Sequence, residues 1–169
     1  MEYGHRLVLY AAFVAVAAIL ALTSFGELPA RVAIHFAENG AADGWTSRET
    51  YRVYLLFFLI VLPSLLIWLM AGLPRLTNGR GQITDAEYWF AQERRRATEH
   101  FLINHACWLG CMTVAVVYGL HNFIVRANAV NPPALDTGRL MTMIVIYLCG
   151  LVWWLTAFLR HFRRKNEQS

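Results

Sequence analysis

Four long stretches of this 169-residue chain carry no Asp, Glu, Lys or Arg: residues 7–26, 53–74, 101–125 and 140–159. Each runs for about 20–25 residues, and a helix of that length, rising ~1.5 Å per residue, crosses a hydrocarbon core of ~30 Å. The polar residues are gathered between these runs. The pattern predicts an all-α fold: an integral membrane four-helix bundle, one domain over residues 1–169, with spans at about 7–26, 50–74, 101–125 and 140–160. A soluble helical core is a poor alternative, because such cores use shorter apolar runs and need amphipathic partners to shield them. The first run is longer than the apolar core of a secretory signal and no clear small-x-small site precedes Glu27, so it is expected to be a retained helix.

Between the first two runs lies a stretch with its own pattern. Val32, Ile34 and Phe36 alternate with Ala33 and His35, which predicts a short extended segment. Asn39-Gly40 and Asp43-Gly44 then supply two turn signals. Thr46-Ser47-Arg48-Glu49 fits a capping box, so the second helix is expected to begin before its span. An ordered outer loop at 27–50 is therefore predicted.

Pro63 sits in the middle of the second run and predicts a kink. Asn78-Gly79-Arg80-Gly81 reads as a mobile loop, and Thr84-Asp85-Ala86-Glu87 as a second capping box. A surface helix is expected to follow before helix three, with Tyr88, Trp89, Arg94, Arg95 and Arg96 anchoring it at the headgroup layer or docking a partner. Arg95 and Glu99 stand at i, i+4 spacing and can pair. Asn131-Pro132-Pro133 ends helix three, and Asp136 can cap helix four.

In the first run, Ala11 and Ala15, then Ala17 and Ala21, have the small-xxx-small spacing that lets helices approach closely in lipid, which predicts that helix one is central. Tyr10, Trp68, Trp153 and Trp154 fall where interfacial aromatics are expected. Asn104, His105, Thr142 and Thr156 are expected to act as interhelical hydrogen-bonding groups.

Composition supports the membrane reading, with 57% apolar residues. Arginine sets the orientation. With the N-terminus inside, Arg6, Arg75, Arg80, Arg94, Arg95, Arg96, Arg160, Arg163, Arg164 and Lys165 lie inside. Arg31, Arg48, Arg52, Arg126 and Arg139 lie outside. That bias predicts a multi-pass protein of the bacterial cytoplasmic (inner) membrane with both termini cytoplasmic. The net charge of +4 then reflects orientation and anionic lipid, with no nucleic-acid partner expected.

The candidate chemistry is sparse. All 11 acids, Glu2, Glu27, Glu38, Asp43, Glu49, Asp85, Glu87, Glu93, Glu99, Asp136 and Glu167, fall outside the four spans. A proton pump or intramembrane carboxylate enzyme would need one inside. His35, Asp43 and His121, with Glu38 in reserve, could converge on the outer face as a metal or general-base site, although no HExxH-type spacing ties them together. Histidines in such loops also serve simply to hydrogen-bond turns. His5, His100, His105 and His161 gather at the inner boundary, and bis-histidine haem ligation would need two of them facing each other. Cys107, Cys111 and Cys149 read as small packing residues. The residues assign no cofactor and no reaction.

Leu28-Pro29, Val32, His35-Phe36, Gly40 and Asp43-Gly44-Trp45 resemble the "LPxxIPxHFxxxGxxDGW" signature of a bacterial membrane domain of unknown function, found N-terminal to the SdpI domain in SdpI-type immunity proteins. The resemblance covers helix one, the loop and helix two. Ala33 stands where that family often has proline, and Arg48 where it often has lysine. Tyr88-Trp89 with Glu93-Arg94-Arg95, and the stretch from His121 to Asn128, resemble shorter single-domain relatives. No SdpI domain is expected here, since the sequence stops after the fourth run. In SdpI-type proteins the full membrane protein protects a cell from a secreted toxic peptide and tethers a repressor. The resemblance thus implies a binding, immunity or signalling module rather than an enzyme. The lipid bilayer is one expected partner and a peptide or membrane protein another, with loop 27–50 as recognition element and His35, Phe36, Asp43, Trp45 and His121 as ligand-binding residues. Two alternatives stand beside it: a small accessory subunit of a larger membrane complex, and a membrane metalloenzyme using His35, Asp43 and His121.

Overall fold

The computed structural model describes residues 2–163; Met1, Arg164, Lys165 and Glu167 lie outside the described residues. Helix α1 (Glu2–Ser24) runs into a 3-10 turn, Phe25–Glu27. Strands β1 (Arg31–Phe36) and β2 (Ala42–Ser47) follow. Next come α2 (Arg48–Thr77), the single turn α3 (Ala86–Trp89), α4 (Arg95–Asn128) and α5 (Thr137–Arg163). Four of these helices are long and apolar enough to cross a membrane. The chain is mostly helical but not all-α, because loop 27–50 pairs with itself as an antiparallel hairpin. The surface helix before the third span is one turn, separated from α4 by turns at 90–94.

Glycine decides the shape of the hairpin. Gly40 takes a left-handed conformation (φ 82°), and a Cβ there would lie 2.5 Å from the Leu135 carbonyl oxygen. Its N–H donates to the Ala37 carbonyl across the Asn39-Gly40 turn, as predicted. Asp43-Gly44 instead lies inside β2, where register irregularities flank His35 and bring Gly44 opposite it. A Cβ on Gly44 would sit 2.8 Å from the His35 Cβ, so the second turn signal marks a close backbone approach. The Asn128 side chain continues the sheet: it accepts from the Ala33 N–H at 2.8 Å and donates to the Ala33 carbonyl at 2.9 Å. A proline at position 33 would have no N–H to give to Asn128.

Helix α2 begins one residue later than the predicted capping box. Ser47 is the N-cap, and its Oγ accepts from the Thr50 N–H. Thr84-Asp85-Ala86-Glu87 forms no capping box, because Asp85 is left-handed (φ 57°) and its side chain makes no cap bond. Asp136 does cap α5, accepting from the Arg139 N–H. The disturbance expected at Pro63 takes the form of a wide π turn, Phe57–Val61, and Pro74 follows a second one at Trp68–Gly72. Proline crowds the carbonyl four residues back, and a turn closed over five residues relieves that crowding. Asn78 (φ 52°) and Gly79 (φ 73°) then close α2, with the Gly79 N–H donating to the Pro74 carbonyl.

The central helix is α4, not α1. Of its most apolar stretch 44% is buried, against 22% for α1, 22% for α2 and 6% for α5. The reason is a small-residue face that includes Ala106 and Gly110; a Cβ on Gly110 would meet Ile67 at 2.8 Å and Tyr10 at 2.9 Å. On α1, Ala17 and Ala21 are buried as that spacing predicts, whereas Ala11 and Ala15 are exposed. Helix α5 is pinned by a reciprocal pair: His105 Nε2–H donates to the Trp154 carbonyl and Trp154 Nε1–H to the His105 carbonyl, both at 2.9 Å. Thr142 and Thr156 do not bridge helices, since each hydroxyl donates to its own helix four residues back. Among the described residues the Asn104 side chain makes no hydrogen bond to another protein group.

Candidate functional site

The hairpin roofs a cavity of about 540 Å³ at the end of the molecule away from the start of α1. Ile34, His35 and Phe36 come from β1. Tyr51, Tyr54, Leu55 and Phe58 come from α2, Val117, Leu120, His121, Phe123 and Ile124 from α4, and Leu135 and Leu140 close the remaining side. Its size falls within the ~300–1,000 Å³ usual for ligand pockets. The walls are apolar, and polar groups enter at the roof and at one wall only.

At the roof, the His35 Nδ1–H donates to Asp43 Oδ1 across the bulged strands, and the His35 side chain is 74% exposed. Asp43 thereby holds the His35 ring through its Nδ1 nitrogen. The wall is built around His121, which is 1% exposed. The Ala21 carbonyl, 3.1 Å from its Nε2, can only accept, so Nε2 carries the proton and also lies 2.9 Å from Ser24 Oγ. Nδ1 then accepts from the Tyr51 hydroxyl at 2.9 Å, with the two rings stacked at 5.9 Å. His121 therefore joins α1, α2 and α4 at one point.

The structure brings some predicted residues together and separates others. His35 and Asp43 are bonded, and Phe36 and His121 line the same cavity as His35. His121 does not share a centre with the His35–Asp43 pair, because its nitrogens are held by Tyr51, Ser24 and Ala21. Among the described residues no three of His, Cys, Asp and Glu, Glu38 included, come together as a metal site. Trp45 lies outside the cavity, pairing across to Ala33 with the Arg31 guanidinium 5.4 Å from its ring. The haem arrangement is not built either. His105 donates to Trp154 and His161 stacks on Phe101 at 3.6 Å, so aromatic rings occupy the space between these imidazoles.

The anchoring group divides in two. Trp89 packs inward on His161 and Phe162, and the Thr98 hydroxyl donates to its carbonyl at 2.8 Å. Arg94 lies 4.0 Å over the Tyr88 ring. Arg95 pairs with Glu99 as predicted, and Arg75 joins the same carboxylate at 3.2 Å, which ties the end of α2 to the start of α4. Arg96 is exposed. Sequence reasoning missed Tyr51, Ser24 and Asn128. Only Asn128, a polar residue at the end of an apolar helix, carried a local signal.

Fold and cavity define a small, mostly helical chain with an apolar pocket beneath a β-hairpin. Residues 12–61, which contain most of α1, the hairpin and the start of α2, match the family model of DUF1648, a domain of unknown function. No curated protein and no solved structure matches the chain.

Proposed function

We propose that the chain is a multi-pass binding module of the bacterial cytoplasmic membrane, of immunity type, with both termini cytoplasmic. The hairpin and the cavity beneath it take up an apolar group of an amphipathic peptide that arrives at the outer face. The observation that carries this reading is the cavity itself: apolar walls for a side-chain cluster, and the His35–Asp43 pair at the roof for the peptide's polar groups. The arginine asymmetry supports the orientation, and the matched region spans the hairpin.

The test is survival. Cells expressing the chain are exposed to secreted peptides of related strains, and protection is expected. Leu120→Trp, which fills the cavity, and Phe36→Ala, which removes part of its roof, are expected to abolish protection at unchanged protein level. Full protection by Leu120→Trp would overturn the proposal. The accessory-subunit reading draws on α5, whose apolar stretch is only 6% buried and leaves Val145, Val152 and Trp153 exposed. Comigration with a large complex in blue native electrophoresis would favour it.

A further inference from the structure

A second groove, of about 480 Å³, runs between α1 and α4 toward the start of both helices. Its apolar length is lined by Leu9, Phe13, Trp108, Met112 and Ala115. Leu9, Phe13 and Trp108 are exposed, so it opens sideways along two helices that are apolar enough to span a membrane. One end is polar: Arg6 and Asn104 line it, and the lining contains no acid. Among the described residues Arg6 has no ion pair and the Asn104 side chain no hydrogen bond to another protein group, although other arginines at this end, Arg75 and Arg95, are bound to Glu99.

We propose that this groove is a site for an anionic phospholipid, one acyl chain lying along α1 and α4 and the headgroup phosphate held by Arg6 and Asn104. Charge complementarity selects this occupant. Arg6 is exposed at the mouth of the groove with no carboxylate in the lining, so its guanidinium is available to an anion, and its planar fork of donors matches phosphate oxygens. The apolar length continuous with that charge needs a hydrocarbon chain. Basic pockets between membrane helices bind acidic lipid headgroups by this combination, and a neutral apolar ligand would leave both polar groups unmatched.

The full chain, purified in detergent and mixed with phosphatidylglycerol, is read by native mass spectrometry. A bound phosphatidylglycerol is expected to persist where phosphatidylcholine does not. Arg6→Gln is expected to weaken retention roughly fivefold, the effect of one basic group at a membrane surface. Arg6→Lys should retain the lipid, which a folding defect at this position would not allow. Ala115→Trp, filling the apolar length, should weaken retention, and Arg163→Gln, a basic residue outside the groove lining, should not change it. Equal retention of the two lipids, equal loss in Arg163→Gln and Arg6→Gln, loss in Arg6→Lys equal to that in Arg6→Gln, or displacement by inorganic phosphate alone would each overturn the proposal.

Discussion

His121 holds the hairpin end together through both ring nitrogens, so its replacement should cost more than the loss of one contact. His121→Phe keeps the ring but leaves the Tyr51 hydroxyl without its acceptor in a buried place. Unsatisfied buried groups cost about 1–3 kcal/mol each. Thermal unfolding in detergent should show a loss of that size; unchanged stability would mean that the bonds contribute nothing net. At Ala33 the test is a double-mutant cycle. Ala33→Pro removes the donor and Asn128→Ala the acceptor of the same hydrogen bond. Residues in contact couple by ~0.5–3 kcal/mol, so the two losses should not add. His35, Gly40 and Asp43 were legible in the sequence because turn residues and polar groups stand out against an apolar chain, whereas Gly44, read as a turn, lies within β2. The partners of His121 were not, since Tyr51 and Ser24 become its partners only when three helices meet.

At the scale of elements, run length predicted the four long helices and alternation predicted β1, whereas the capping box expected at 84–87 did not form and the one at 46–49 moved by a residue. β2 was hidden because Ala42–Ser47 mixes small, polar and turn residues whose pairing depends on β1 opposite them. The link between α2 and α4 depends on one carboxylate. Glu99 is mostly buried and holds both Arg75 and Arg95. Glu99→Gln should loosen the 78–94 connection by about 1 kcal/mol, since both arginines are half exposed. Limited proteolysis at Arg80 should then run about fivefold faster if cleavage follows the open population. An unchanged rate would show that other contacts, such as Thr98 with Trp89, suffice to hold it.

For the whole molecule, four helices of membrane-crossing length place the hairpin at the end opposite the start of α1 and the end of α5. In a background with Cys107, Cys111 and Cys149 replaced, Asp43→Cys and Ala134→Cys should react with an impermeant maleimide in intact cells, and Gln92→Cys only after lysis. Reaction of position 92 in intact cells would refute the topology. The sequence by itself determined the number and length of the apolar runs, because the cost of burying backbone and charge in hydrocarbon acts on each segment locally. It also determined the uneven distribution of arginine among the segments between the runs. Which helix is central, that His121 stands apart from His35 and Asp43, and that two cavities open between particular helices were decided only by tertiary structure. Those outcomes depend on which faces approach most closely. Gly110 allows α4 to meet both Tyr10 and Ile67, and no spacing within a single run reveals which small residue will find such partners.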